Sequence, residues 1–469
     1  MKDPIPDYLD TVDATQLRAL LLDAAANDPD LQARLHLRAT AARRPPLHDL
    51  RKTVRKSLQP HDDWGWGDEH HFVRSVEDLA LLFGHRIADE DPMPIELIEE
   101  AIVEAEKAVE LFDETSCELE ESLRELHRVH LSVCEALRPD PAELGRSLFR
   151  RQLEDPWGYL TEMLPDYLAL IGAAGETAYW QAVEAAWEGL PVLKPDERDT
   201  SNSGHRSTIE SIMEARVAES GDLDAQIRVI SRNLSSGRRF HALARLCRDN
   251  GNAERAIEWL EAGLAAFGPN ENFGLEALGI ELYLEVGNHS RAEAMAWGRF
   301  ERRPGSNGFF ELLQVAESLG RDKDLREKAL GLLWARVAAQ EARPAKRPGS
   351  WTILERDHLV EIFLQEGDAD RAWETFRGGA VSVRHWQRLA EARAPTHHDE
   401  AVELYLRLLP HAVEEGTRNA RYELAVDVVL AMRKLRLAHS EVERFQREAT
   451  TIRQEWRRKR NFIAAIAGL

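Results

Sequence analysis

The sequence predicts an all-α fold, a tetratricopeptide-like α-solenoid of helical hairpins preceded by an N-terminal helical domain. Three observations carry this. Apolar residues recur at spacings of three and four through most of the 469 residues, the period of a helix with one buried face. Nothing reads as the alternation of a half-buried strand. Four helix–turn–helix patterns in the second half share a glycine at the same place, with a repeat near the tetratricopeptide length. Composition agrees. Only 7% of residues are aromatic and 30% are charged, with Ala, Leu, Glu and Arg prominent, a palette of helix formers.

The elements follow in order. Over residues 9–26, Asp13 can cap, Gln16 completes a capping box, and Leu17, Leu20, Leu21 and Ala24 share a face. Asp28-Pro29 restarts a helix, and Arg43-Arg44-Pro45-Pro46 ends it, because proline cannot continue the hydrogen-bond ladder. A third helix runs from Leu47 or His48 to about Ser57, before the glycine-rich Trp64-Gly65-Trp66-Gly67. Ile98, Ala101, Ile102, Ala105, Ala108, Val109 and Phe112 form one apolar stripe, and Leu119, Leu123, Leu126, His130 and Val133 form the next. Pro139 and Pro141 stop that helix, and Asp155-Pro156 punctuates another after Leu144, Leu148 and Leu153. Residues 191–208, rich in Pro, Asp, Ser, Asn and Gly, read as a linker. The expected domains are therefore 1–190, all-helical, and 209–469, the repeat domain with a basic C-terminal helix.

Within the second domain the repeat is explicit. Leu246, Gly251 and Ala256 recur as Leu282, Gly287 and Ala292, as Val315, Gly320 and Leu325, and as Ile362, Gly367 and Ala372. The last interval is enlarged by a loop from Arg343-Pro344 to Gly349. Glycine ends the first helix of each pair in a left-handed conformation, and a small residue on the second helix lets the two approach. Such units bury their faces only against neighbours, which predicts a stacked superhelix with a concave surface.

RATAAR after NDPDLQARL, HLSVCEALRPDPAELGRSLF, YWQAVEAAW, the run from GDLDAQIRVISRNLSSGRRF to DNGNAERAIEWLEAGL, and the closing TIRQEWRRKRNF resemble the bacterial DUF6880 family, a family of unknown function. They are also similar to the C-terminal helical region of bacterial SWIM zinc-finger proteins. The resemblance spans nearly the whole chain, most specifically residues 127–190 and 221–300. It implies an all-helical, repeat-like fold and brings no established activity. The SWIM motif needs CxC followed by CxH, whereas Cys117, Cys134 and Cys247 are isolated, so that finger is missing.

Charge and motifs narrow the function classes. The net charge is −21, so nucleic acid could be met only by a local basic patch. Eight cations from Arg34 to Lys56 face only Asp30 and Asp49, fifteen carboxylates crowd between Asp89 and Glu125, and Arg457, Arg458, Lys459 and Arg460 make the end basic again. Three cysteines exclude a disulfide scaffold. The opening residues lack an apolar signal core, and no apolar run approaches the ~20 residues of a bilayer span, which predicts a cytoplasmic protein without a membrane segment. Phosphate-loop, dinucleotide, HExxH and GxSxG signatures are absent from the sequence.

The remaining candidates are few. His48, His61, Asp62, His70 and His71 are ligand types suited to a divalent metal, and a third His-Asp dipeptide stands at His398-Asp399. Their spacing fits acidic loops near helix ends better, so no cofactor or metal is expected. His127, His130 and Cys134 share a helix face and could hold zinc or a nucleophile, but an amphipathic helix buries such residues as core. Trp180, Trp187, Trp259 and Trp373 fall at core positions, whereas Trp64 and Trp66 lie in a loop and could anchor a partner. Arg51, Lys52, Arg55 and Lys56, with Arg457 to Arg460, either pair with the acidic helices of residues 96–121, within the chain or in a dimer, or meet an acidic partner.

The expected function is a non-enzymatic scaffold that binds a protein or peptide on the concave face of residues 221–410. Arg and Glu would set its specificity. A metal-dependent phosphohydrolase using the histidines and aspartates of residues 48–71 is the alternative, and a nucleic-acid accessory role the second. Partner identity and oligomeric state are not encoded in any motif.

Overall fold

The computed structural model describes residues 4–28, 31–32, 35–36, 38–39, 46–58, 69–88, 94–109, 112, 116–155, 157–195, 197–198, 203–272, 274–343, 354–417 and 421–469. Among these the chain is helical throughout, with no strand beyond one isolated bridge between Leu193 and Asn233. It divides into two compact units, Met1–Ser235 and Ser236–Leu469.

The first unit runs through α1 (Pro4–Leu9), α2 (Ala14–Asn27), α3 (Leu47–Ser57), α4 (Glu69–Ala88), α5 (Ile95–Val109), α6 (Cys117–Leu137), α7 (Pro141–Leu153), α8 (Tyr159–Gly189), α9 (Ser203–Ser220) and α10 (Leu223–Ile230). The cap expected at Asp13 forms. Asp13 accepts from the amides of Thr15 and Gln16, and Asp140 caps α7 with Pro141 in its first turn. The stripe on α5 and its partner on α6 close one core, with Ile98, Ala101, Leu119 and Leu126 fully buried. A second core joins α7, α8 and α9 through Leu148, Tyr167, Tyr179, Val183 and Ile209. Helices α7 and α8 touch at Gly145 and Gly175, where a Cβ on Gly145 would meet the Gly175 carbonyl oxygen. No larger residue fits that contact. Helix α8 bends at Gly172, whose φ is 59°.

Sequence reasoning placed a linker at 191–208. In the structure its described part is tied down. Leu193 exchanges backbone hydrogen bonds of 2.8 Å with Arg232 and Leu234, and Arg206 donates to the Pro191 carbonyl. The helical stretch of α9 already begins at Ser203.

The second unit is a run of hairpins: α11 (Gly237–Asp249), α12 (Ala253–Ala266), α13 (Leu275–Glu285), α14 (His289–Arg302), α15 (Ser306–Ser318), α16 (Asp322–Glu341), α17 (Glu355–Gln365), α18 (Ala369–Arg377), a 3₁₀ turn at Val383–His385, α19 (Trp386–Arg393), α20 (His398–Thr417), α21 (Glu423–Ala438), α22 (Val442–Glu455) and α23 (Arg460–Ala465). Gly251, Gly287, Gly320 and Gly367 all take φ between 65° and 77°, as the repeat requires. The residue after each glycine closes the turn onto the helix before it, with Asn252 donating to Cys247, Asn288 to Tyr283, Arg321 to Ala316 and Asp368 to Phe363. Asn252, Asn288 and Asp368 then cap the following helix. Ala256, Ala292 and Ala372 are fully buried where paired helices meet. This is a tetratricopeptide-like array.

A hairpin that the glycine pattern missed follows. Ser440 takes φ 60° between α21 and α22, and Glu441 closes the same turn onto Arg436. Leu435 and Phe445 hold the flanking places, five residues to either side.

Candidate functional site

The buried histidines of the first unit sit at the seam of its two cores. His130 is fully buried, with Arg151 Nη1 3.0 Å from Nε2 and Tyr167 Oη 2.5 Å from Nδ1. Burial, reinforced by Arg151, pushes its pKa down to about 4, so it is neutral near pH 7. The neutral tautomer that fits donates from Nδ1 to Tyr167 and accepts at Nε2 from Arg151. Cys134 packs 3.9 Å from this ring, and burial pushes its thiol up to about 12. A thiol so held is not a nucleophile. His127 Nε2 contacts Glu106 at 3.0 Å. These groups are core, as their helix face predicts.

Of the five metal candidates, His61 and Asp62 lie outside the described residues, as does the side chain of His71. His48 is exposed on the first turn of α3, and His70 Nδ1 lies 3.2 Å from Glu118 on α6. Among the described residues one group of three ligand-type side chains converges, within 4.8 Å: His398, Asp399 and Glu441. Two arginines already hold its carboxylates. Arg436 Nη1 is 2.6 Å from both Asp399 and Glu441, and Arg444 Nη1 is 2.8 Å from Asp399. The guanidiniums supply the positive charge that a cation would bring.

Trp64 and Trp66 also lie outside the described residues. The basic helix α3 meets acidic α5, where Arg51 Nε is 2.9 Å and Arg55 Nη2 3.4 Å from the Glu100 carboxylate. Lys52 is exposed. Lys459 donates to Thr417 at 2.8 Å, while Arg457, Arg458 and Arg460 are exposed around the start of α23. Along the repeats, Arg and Glu pair with each other between helices: Arg248 with Glu281 and Glu285, Arg326 with Glu366, Arg336 with Glu355.

A groove that no sequence motif marks lies between α20 and α22. It has a volume of about 160 Å³ and is lined by Leu406, Leu409, Pro410, Glu448, Thr451, Ile452, Glu455 and Trp456. A wider depression of about 340 Å³ adjoins it at Pro410, with His411, Glu414 and Glu415. Pro410 lies inside α20, so the Leu406 carbonyl lacks its helical N–H donor. The Trp456 indole nitrogen is buried without a hydrogen-bond partner. The apolar trough is thus lined by a tryptophan whose indole nitrogen is unpaired and by a leucine whose carbonyl lacks its helical donor. The signals in sequence were a proline in the middle of an otherwise regular helix and a tryptophan at the end of α22.

The fold defines an all-helical repeat protein. The chain belongs to the family of unknown function DUF6880, whose profile matches residues 7–307. The closing segment TIRQEWRRKRNF lies beyond that match. No curated protein matches the sequence. Similar solved structures include the P58(IPK) TPR domain, at 14% identity over 80% of this chain and 99% of that one, with a TM-score of 0.20. A human IFIT1 dimer with m7Gppp-AAAA is similar at 12% identity over 85% and 92%, TM-score 0.20. A circular tandem repeat protein of novel topology is similar at 18% identity over 95% of each chain, TM-score 0.14. At these scores none of them bears on function. No helix among the described residues is long and apolar enough to cross a membrane.

Proposed function

We propose that this protein is an interaction scaffold whose C-terminal repeat unit captures a segment of a partner protein in the groove between α20 and α22. The observation that carries this is an apolar trough, with Leu409 and Ile452 in its lining, that is also lined by Trp456, whose indole nitrogen is unbonded, and by Leu406, whose carbonyl Pro410 deprives of its helical donor. Unmet buried hydrogen-bonding capacity costs about 1–3 kcal/mol per group, and an extended peptide offers an N–H to one and a C=O to the other. Along residues 221–410, the expected concave binding face, Arg248, Arg326 and Arg336 are already paired with glutamates of other helices. A partner there must exchange those pairs, whereas the groove requires no such exchange.

The test is selection of a displayed library of random short peptides on the full chain. Enriched peptides should bind with a micromolar Kd and weaken at least about ten-fold on Trp456→Ala or Leu406→Glu, with helicity retained in both and melting unchanged in Leu406→Glu. Failure of any sequence to enrich, or enrichment indifferent to both substitutions, rejects the groove as the site.

A further inference from the structure

The charge around this groove is one-sided, and that selects among peptides. Four carboxylates, Glu414, Glu415, Glu448 and Glu455, line the groove and its adjoining depression, and no lysine or arginine does. Glu448 is committed, since Arg436 contacts both its oxygens at 2.8 and 3.3 Å. Glu414, Glu415 and Glu455 are exposed and have no ion-pair partner among the described residues. Some glutamates of this unit are tied to arginines, as at Glu366, Glu355 and Glu285. What distinguishes these three carboxylates is that they line an apolar trough and its adjoining depression. Arg457 and Arg458 follow Trp456 in the chain but line neither hollow.

We infer that the occupant of the groove is a basic segment of a partner protein, an apolar side chain flanked by lysines or arginines. This rests on the reading of the groove given above. The apolar residue covers Leu409 and Ile452. Its backbone meets Trp456 Nε1 and the Leu406 carbonyl. The flanking cations reach Glu414, Glu415 and Glu455. An acidic segment would meet three like charges with no compensating cation, which disfavours it both on approach and when seated.

The experiment is fluorescence anisotropy on the full chain with three labelled peptides. They share a Leu-Trp centre, flanked by Lys and Arg, by Gln, or by Glu. The basic peptide should bind about ten-fold more tightly than the Gln peptide at low salt, and that advantage should vanish near molar salt, because exposed pairs are screened. Glu414→Gln, Glu415→Gln and Glu455→Gln together should remove the preference, lowering the basic peptide's affinity to that of the Gln peptide. If the Gln and Glu peptides bind as tightly as the basic one, and all three lose binding on Trp456→Ala, the basic occupant is wrong and the groove stands. If none of the three binds, both readings fall.

Discussion

Arg436 and Glu441 are joined twice. The Glu441 amide donates to the Arg436 carbonyl at 2.8 Å across the left-handed Ser440, and the Arg436 guanidinium lies 2.6 Å from the Glu441 carboxylate. One link is the turn that every glycine-bearing hairpin of this unit uses. The other is a side-chain clamp seen only here, where serine stands in the glycine position.

That substitution has a cost. An L-residue in the left-handed region gives up roughly 1 kcal/mol relative to glycine. Ser440→Gly should therefore stabilise the protein by about 1 kcal/mol, and Gly287→Ala should destabilise it by about the same. A Cβ on Gly287 meets nothing within 4 Å, so the second effect is pure backbone strain. Urea unfolding at pH 7 decides both.

Removal of the clamp should be more damaging. Arg436 has only 3% of its side chain exposed and faces Asp399, Glu441 and Glu448. Arg436→Ala leaves a buried hole and strands Glu448, while Asp399 and Glu441 keep Arg444, and should cost about 3 kcal/mol in denaturant unfolding. Lysine, lacking the planar fork, should recover less than half of that loss. The penalty should shrink in acid. Arginine hydrogen bonds hold Asp399 and Glu441 below their usual carboxylate range, so the stability they contribute is present at neutral pH and lost as pH falls through those lowered values.

His130 gives a pH dependence of the opposite origin. Its folded pKa is depressed to about 4 from 6.5 by burial. Between these values the unfolded chain binds a proton that the folded chain does not, so stability rises with pH across that window. The whole effect is on the order of 3 kcal/mol. His130→Gln should flatten the slope of unfolding free energy between pH 4 and 6.5, after the carboxylate contribution common to both proteins is subtracted. An unchanged slope rules out a neutral buried His130.

The three thiols should separate cleanly. Cys117 is exposed, whereas Cys134 and Cys247 are fully buried. A disulfide reagent at pH 8 should titrate one thiol in seconds in the native protein and all three in denaturant. Fast reaction of Cys134 would contradict its raised pKa of about 12.

Much of this architecture is written in the sequence, because helices are specified locally. The stripe of Ile98, Ala101, Ile102 and Ala105 needs only its own spacing to declare a buried face, and Asp13 or Asn252 needs only the next three residues to cap. The glycine repeats were equally legible, since a left-handed turn residue is a local demand. The Ser440 hairpin was not, because serine has no local preference for the left-handed conformation it takes there.

The site belongs to the other category. Nothing in the sequence around positions 406, 410 and 456 says that Leu406, Pro410 and Trp456 line one trough. That depends on α20 and α22 lying side by side, with Arg436 drawing Glu448 away and leaving Glu455 free. Likewise the pairing of Arg51 with Glu100 and of Arg248 with Glu285 is decided only when helices far apart in sequence meet. Hydrophobic period and turn chemistry act within a few residues, and so the sequence alone determined the helices and their repeat. Charge pairing and unmet hydrogen bonds depend on which faces come together, and those only the tertiary structure decided.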